Sequence, residues 1–194
     1  MVLAILMACS AFVLIVAQSQ GIRRGVLFFD AAAQFGIPPY AGFFSNVGIL
    51  ALTAAAAICL FALPLSGGRE RSALRLGGLL SALLAVDDLF MIHDWLLTEF
   101  VGIPETIPFA LYGVLTLVLF ASMGRQVLAP GAALLWLSLA FMALSLFFDL
   151  IEFRVGWDGL AEEMAKLCGF VVWAMFWAGY ANAAIAGARR RGWE

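Results

Sequence analysis

The chain has 194 residues, of which 64% are hydrophobic and only 12% charged, against roughly 25% charged in a typical soluble domain. That composition excludes an ordinary soluble globule and points to an integral membrane protein. The formal net charge of −2 excludes nucleic acid as a partner, because no basic stripe is available to neutralise a phosphate backbone.

In chain order, residues 2 to 17 form the first apolar run, followed by Gln18-Ser19-Gln20-Gly21 and then Arg23-Arg24. Ala17-Gln18-Ser19 loosely resembles a signal-peptide cleavage site, but no positive region precedes the run, so it reads as a retained helix. Residues 25 to 43 carry Asp30, Gln34 and a Gly-Ile-Pro-Pro break. Two prolines cannot sit inside a continuous spanning helix, which makes this an interfacial or re-entrant segment. Further runs cover about 45 to 64, 76 to 98, 107 to 128, 131 to 151 and 164 to 187. Each has on the order of 20 residues, the length that crosses a hydrocarbon core of roughly 30 Å. The expected architecture is an all-α transmembrane bundle of about six spans in a single domain over residues 1–194, with short connections making consecutive later helices antiparallel neighbours. Cys9, Cys59 and Cys168 are widely spaced inside apolar runs and read as small buried residues, without metal-type spacing.

Arginines set the expected orientation. Arg69, Arg71 and Arg75, then Arg125, then Arg189-Arg190-Arg191 mark one side as cytoplasmic, in a bacterial inner (plasma) membrane with the C-terminus inside. The other connections are acidic, with Glu99 and Glu105, then Asp149, Glu152, Asp158, Glu162 and Glu163. Arg23 and Arg24 disagree with six spans. Either they snorkel to headgroups, or residues 25 to 43 cross after all and the N-terminus is outside.

The stretch Ala85-Val86-Asp87-Asp88-Leu89-Phe90-Met91-Ile92-His93-Asp94 puts three carboxylates and the sole histidine on an apolar run. Ionisable groups at such depth are functional hypotheses by default. Helical rise from Arg75 places Asp87 about 18 Å and Asp94 about 28 Å up the third span. Asp149 falls at nearly the same outer level, with Glu152 one turn beyond, and Glu162, Glu163 and Lys166 lie at the mouth of the last span. On an unbroken helix Asp87 and Asp94 share a stripe, Asp88 lies about 100° away and His93 about 120° the other way. Crowded carboxylates resist joint ionisation unless a cation is present. Lys166 can supply one charge by reaching toward Asp87 or Asp88, and a bound ion or shared protons the rest.

Each residue also has a plainer reading. Glu162 and Glu163 can be first-turn acids behind an Asp158 cap, with Lys166 as their partner one turn on. Asp149 and Glu152 can be a solvated helix end paired with Arg154, and His93 an interfacial hydrogen-bonding group. Asp87 and Asp88 have no cheap solvated explanation. Ser45 and Asn46 either line the same cavity or cap the second span. Trp173 and Trp177 read as packing or lipid-facing residues.

The acidic pair Asp87-Asp88, His93-Asp94 on the same run and Glu162-Glu163 near the start of the last span resemble a group of uncharacterised bacterial multi-pass membrane proteins. The resemblance implies a polytopic bundle and supplies no activity. A likeness to ceramidase-like membrane hydrolases fails, because their zinc sites use several histidines and His93 stands alone.

Three functions fit these residues. The first is an outward-facing cation site made of Asp87, Asp88, His93, Asp94, Asp149, Glu152, Glu162 and Glu163, with Lys166 as charge partner. It would bind protons or a divalent metal such as Mg, Ca, Mn or Fe, with transport of that cation as one use. The second is a membrane-embedded metal-dependent enzyme acting on a lipid or amphiphile, with paired carboxylates as acid and base or as metal ligands. The third is a non-catalytic subunit whose acids pair with a membrane-protein partner or a second copy of the chain. The residues leave enzyme or non-enzyme open.

Overall fold

Apolar runs of this length leave the backbone no hydrogen-bonding solvent, so each must satisfy its own amides as a helix. The computed structural model describes residues 2–19, 21, 35–38, 40–151 and 158–191, and among them every regular element is helical. The chain divides into two units, Met1–Phe43 and Phe44–Glu194. The first contains α1, Val2–Ser19. Most of the segment expected to be interfacial or re-entrant at 25–43, together with Arg23 and Arg24, lies outside the described residues. The described part of it carries turns, with the Ala41 amide bonded to the Pro38 carbonyl and that of Phe43 to Tyr40.

The second unit is a helical bundle built from α2 (Phe43–Ala62), α3 (Gly68–Phe90), α4 (Thr106–Met123), α5 (Ala133–Ile151) and α6 (Asp158–Arg191). Short 3₁₀ turns extend α2 over Leu63–Leu65 and α4 over Gly124–Leu128. The most extensive packing is between α5 and α6, followed by α3 against α4. Among the described residues four helical stretches are long and apolar enough to cross a membrane: Phe43–Leu65, Thr106–Leu128, Pro130–Asp149 and Gly159–Arg190. The expected count of about six is therefore not reached on length and composition. The physical reason is plain for α3, whose apolar length is bounded by Arg75 on one side and by Asp87 and Asp88 on the other.

Lipid tails are as apolar as leucine, so helices in a membrane are held by close packing and internal polar contacts rather than by hydrophobic burial. Glycines permit the approach. Gly48 faces the Phe170 ring, Gly78 faces Cys59 and Leu60, and Gly169 lies against Met142 and the Ser138 carbonyl, which brings α6 onto α2 and α5. Gly77 on α3 lies under the Trp177 indole of α6. Trp173 and Trp177 are the largest fully buried side chains, which settles them as packing residues. Trp173 Nε1 donates to Ser81 Oγ at 2.8 Å, and Ser81 Oγ donates to the Gly77 carbonyl at 2.7 Å. Cys59 is fully buried and Cys168 half-buried, in keeping with small apolar residues.

The expectation of one unbroken third span over 76–98 is corrected at Met91. There α3 ends, and a π-helical segment, Ile92–Val101, takes over. Met91 has φ 47° and ψ 49°, the one positive φ at a non-glycine among the described residues. Its amide bonds to the Asp87 carbonyl as a left-handed helix cap, and its own carbonyl receives the amides of both Trp95 and Leu96. Left-handed backbone costs an L-residue roughly 1 kcal/mol, and β-branched residues tolerate it least. Met91→Gly is expected to hold or raise stability by up to about 1 kcal/mol, whereas Met91→Val lowers it by about 1–2 kcal/mol. Unfolding midpoints of the two variants in one detergent check this. Val equal to Gly would refute the strained cap.

Candidate functional site

Adjacent residues on a helix point about 100° apart, so Asp87 and Asp88 at the end of α3 must find different partners. Asp87 turns inward and is 3% exposed. Its Oδ1 accepts the His93 backbone N–H at 3.0 Å, and its Oδ2 lies 2.5 Å from His93 Nδ1. On an unbroken α-helix these residues would face apart. The left-handed turn at Met91 and the wider π winding carry His93 back over the carboxylate. Thr98 Oγ1 donates to the His93 carbonyl at 2.8 Å, and the Phe109 ring of α4 stands 5.1 Å from the imidazole, tilted by 56°. The His93 side chain is 11% exposed. A carboxylate on Nδ1 fixes the neutral ring as the Nδ1–H tautomer, making Nε2 the basic nitrogen.

Asp88 looks the other way, toward α2 and α6. Its Oδ1 is 3.3 Å from Lys166 Nζ, and its Oδ2 accepts from Ser45 Oγ at 3.2 Å. Lys166, the only lysine in the chain, also lies 3.8 Å from Glu163 Oε1, one turn earlier on α6. Asp87 thus faces His93, while Asp88, Glu163 and Glu162 act on Lys166. Even with the imidazole protonated, these four carboxylates outnumber two cations.

Of the residues singled out from the sequence, the structure brings together Asp87 with His93, and Asp88 with Lys166, Glu163 and Ser45. Glu162 is half-buried beside Glu163 in the opening turns of α6, and Asp149 is half-buried near the end of α5. The Asp94 side chain, Glu152, Arg154 and the Asp158 side chain lie outside the described residues. Asn46 is exposed. No group of three or more His, Cys, Asp and Glu side chains is placed to hold a metal ion among the described residues. Beside these acids stand the Lys166 ammonium and the His93 imidazole. Thr98 and Phe109 escaped the sequence reading. Neither lies on a helical face with His93, and the π winding that makes the Thr98 contact possible leaves no mark in residue type.

A family model described as Domain of unknown function (DUF8692) matches residues 1–179. No curated protein and no solved structure matches the chain.

Proposed function

The chain belongs to the DUF8692 family, and we propose that it is a multi-pass membrane protein whose Asp87–His93 and Asp88–Lys166 pairs form an intramembrane proton-binding centre. We read α1 and α3 as further crossings, six spans in all. The charges that interrupt the apolar length of α3 are those met by His93 and Lys166, so their desolvation is offset inside the bundle. From Leu76 to Phe90 α3 rises about 21 Å, and the π segment supplies the rest of a core of roughly 30 Å. With the arginine-rich end in the cytoplasm of a bacterial inner membrane, the centre faces outward and the C-terminus inward.

The observation that carries this reading is the buried Asp87–His93 pair, one residue from a second compensated carboxylate. A proton is the cation such a set takes up with least rearrangement, because His93 and the carboxylates accept it without displacing Lys166. A divalent ion, whether Mg, Ca, Mn or Fe, would have to share Asp88 and Glu163 with the ammonium.

In liposomes carrying the full chain and a pH-sensitive dye, an imposed pH gradient is expected to decay faster than in empty liposomes. Asp87→Asn and His93→Gln should each slow that decay at least about tenfold, the scale set by losing a proton-transfer group. Decay equal to empty liposomes, or unaltered by both substitutions, would overturn the proposal. A divalent metal that copurifies stoichiometrically and disappears with Asp87→Asn/Asp88→Asn would also overturn it, by naming a different bound cation.

A further inference from the structure

The two ends of the second unit handle charge differently. At the outer ends of α3 and α6 the acids meet Lys166 and His93 within the fold. At the opposite end Arg69, Arg71, Arg75, Arg125, Arg189 and Arg190 are all exposed. Their common end follows from antiparallel pairing: Asp88 meets Lys166, Ser81 meets Trp173, and Gly77 meets Trp177, so α6 descends as α3 is read backward, and the arginines spread over roughly 15 Å of helix axis at that end. Near the bottom of that ladder Tyr180 Oη lies 2.6 Å from Gln126, beside Arg125 in the turn after α4. The Arg69 guanidinium lies over Gly124, where α4 ends: a Cβ at 124 would stand 3.2 Å from Arg69 Nη1. Three helix ends therefore contribute arginines to one rim. Glu70, half-buried, is the one carboxylate among the described residues of these segments.

One carboxylate cannot neutralise six guanidiniums gathered at one end of the bundle. Counter-charge must come from outside the fold, and beside a chain of this apolarity the surface at hand is the headgroup layer. We propose that this rim is a binding surface for anionic phospholipid headgroups. Guanidinium suits it, since the planar fork pairs a phosphodiester through two N–H groups and stays charged at any physiological pH. Each basic group near an anionic surface strengthens association about fivefold at moderate salt, and the effect fades as the Debye length shrinks. The proposal is independent of proton binding at the other end.

The test places the full chain in nanodiscs of equal phosphatidylcholine and phosphatidylglycerol, extracts it gently, and counts retained lipids by native mass spectrometry. Wild type is expected to retain phosphatidylglycerol at least about fivefold over phosphatidylcholine, with the preference shrinking as sodium chloride rises from about 50 to about 500 mM and the Debye length falls from roughly 14 to roughly 4 Å. Arg69→Gln/Arg71→Gln/Arg75→Gln and, separately, Arg189→Gln/Arg190→Gln should each reduce it several-fold. The corresponding Arg→Lys variants keep the charge without the fork and should retain more of it than the glutamine variants but less than wild type, which separates lost charge from lost folding. Asp87→Asn should leave the preference unchanged. Equal retention of the two lipids by wild type, or a preference indifferent to both salt and the glutamine variants, would overturn the proposal.

Discussion

Lys166→Met is expected to destabilise the bundle by about 2–3 kcal/mol, and Lys166→Met/Asp88→Leu to recover most of that loss. Removing one member of a buried ion pair strands the other, and the usual cost is about 3–5 kcal/mol. Here the side chains of Lys166 and Asp88 are 22% and 10% exposed, so solvent screening brings the value to or below the bottom of that range. With Lys166 gone, Asp88 keeps the Ser45 hydroxyl as its described hydrogen-bond partner. Asp88→Asn alone should cost less, about 1–2 kcal/mol, because Lys166 still faces Glu163 at 3.8 Å. Replacing both charges by apolar groups removes the desolvation of each, and such swaps are often neutral. Unfolding free energies in mixed detergent–SDS micelles decide the matter. A Lys166→Met variant within about 0.5 kcal/mol of wild type would show an ion pair too wet to matter. If the double variant is stable yet its proteoliposomes hold a pH gradient like empty ones, the charges are there for proton binding and not for folding.

Lys166 was legible as a partner because a lone ammonium inside an apolar run must find an anion, and Asp88 and Glu163 lie within its reach. The helices were legible for a similar reason: long runs without Pro or Gly clusters have one way to satisfy their amides in lipid. What composition could not show is the break at Met91. Phe90-Met91-Ile92 contains neither glycine nor proline, and nothing in those side chains announces a left-handed turn. Helical periodicity therefore put Asp87 and His93 about 120° apart, on faces that cannot meet. Tertiary bonding overrides that local preference. The Asp87 carboxylate gathers the His93 amide and Nδ1, and two contacts to a buried anion offset a strained backbone residue. The same break explains why α3 falls short as an apolar span: beyond Met91 its continuation is a winding built around a polar pair.

Gly77→Ala is expected to destabilise the α3–α6 contact by about 3 kcal/mol, the upper end for overpacking, although the change adds one methyl group. A Cβ at position 77 would overlap the six-membered ring of Trp177, the carbons Cζ2, Cη2 and Cε2 being nearest. The indole cannot swing away, since Trp177 is fully buried and its ring is flanked by Trp173 at 5.6 Å, Phe176 at 5.0 Å and Tyr180 at 5.5 Å. Trp177→Phe shortens that side chain where the new methyl would go. Its own cost should be about 1–2 kcal/mol of lost packing, with no hydrogen bond lost, because Trp177 Nε1 has no partner among the described residues. Gly77→Ala/Trp177→Phe should therefore be less damaging than the sum of its parts by about 1–2 kcal/mol. Trp173→Phe provides the contrast. It gives no relief at Gly77 and takes the indole N–H away from Ser81, so its combination with Gly77→Ala should show no comparable gain. Strict additivity in the Gly77–Trp177 cycle would mean that α3 and α6 do not meet through this glycine. The antiparallel ladder that sets Asp88 opposite Lys166, and the arginines at the other end, would then lose its central rung.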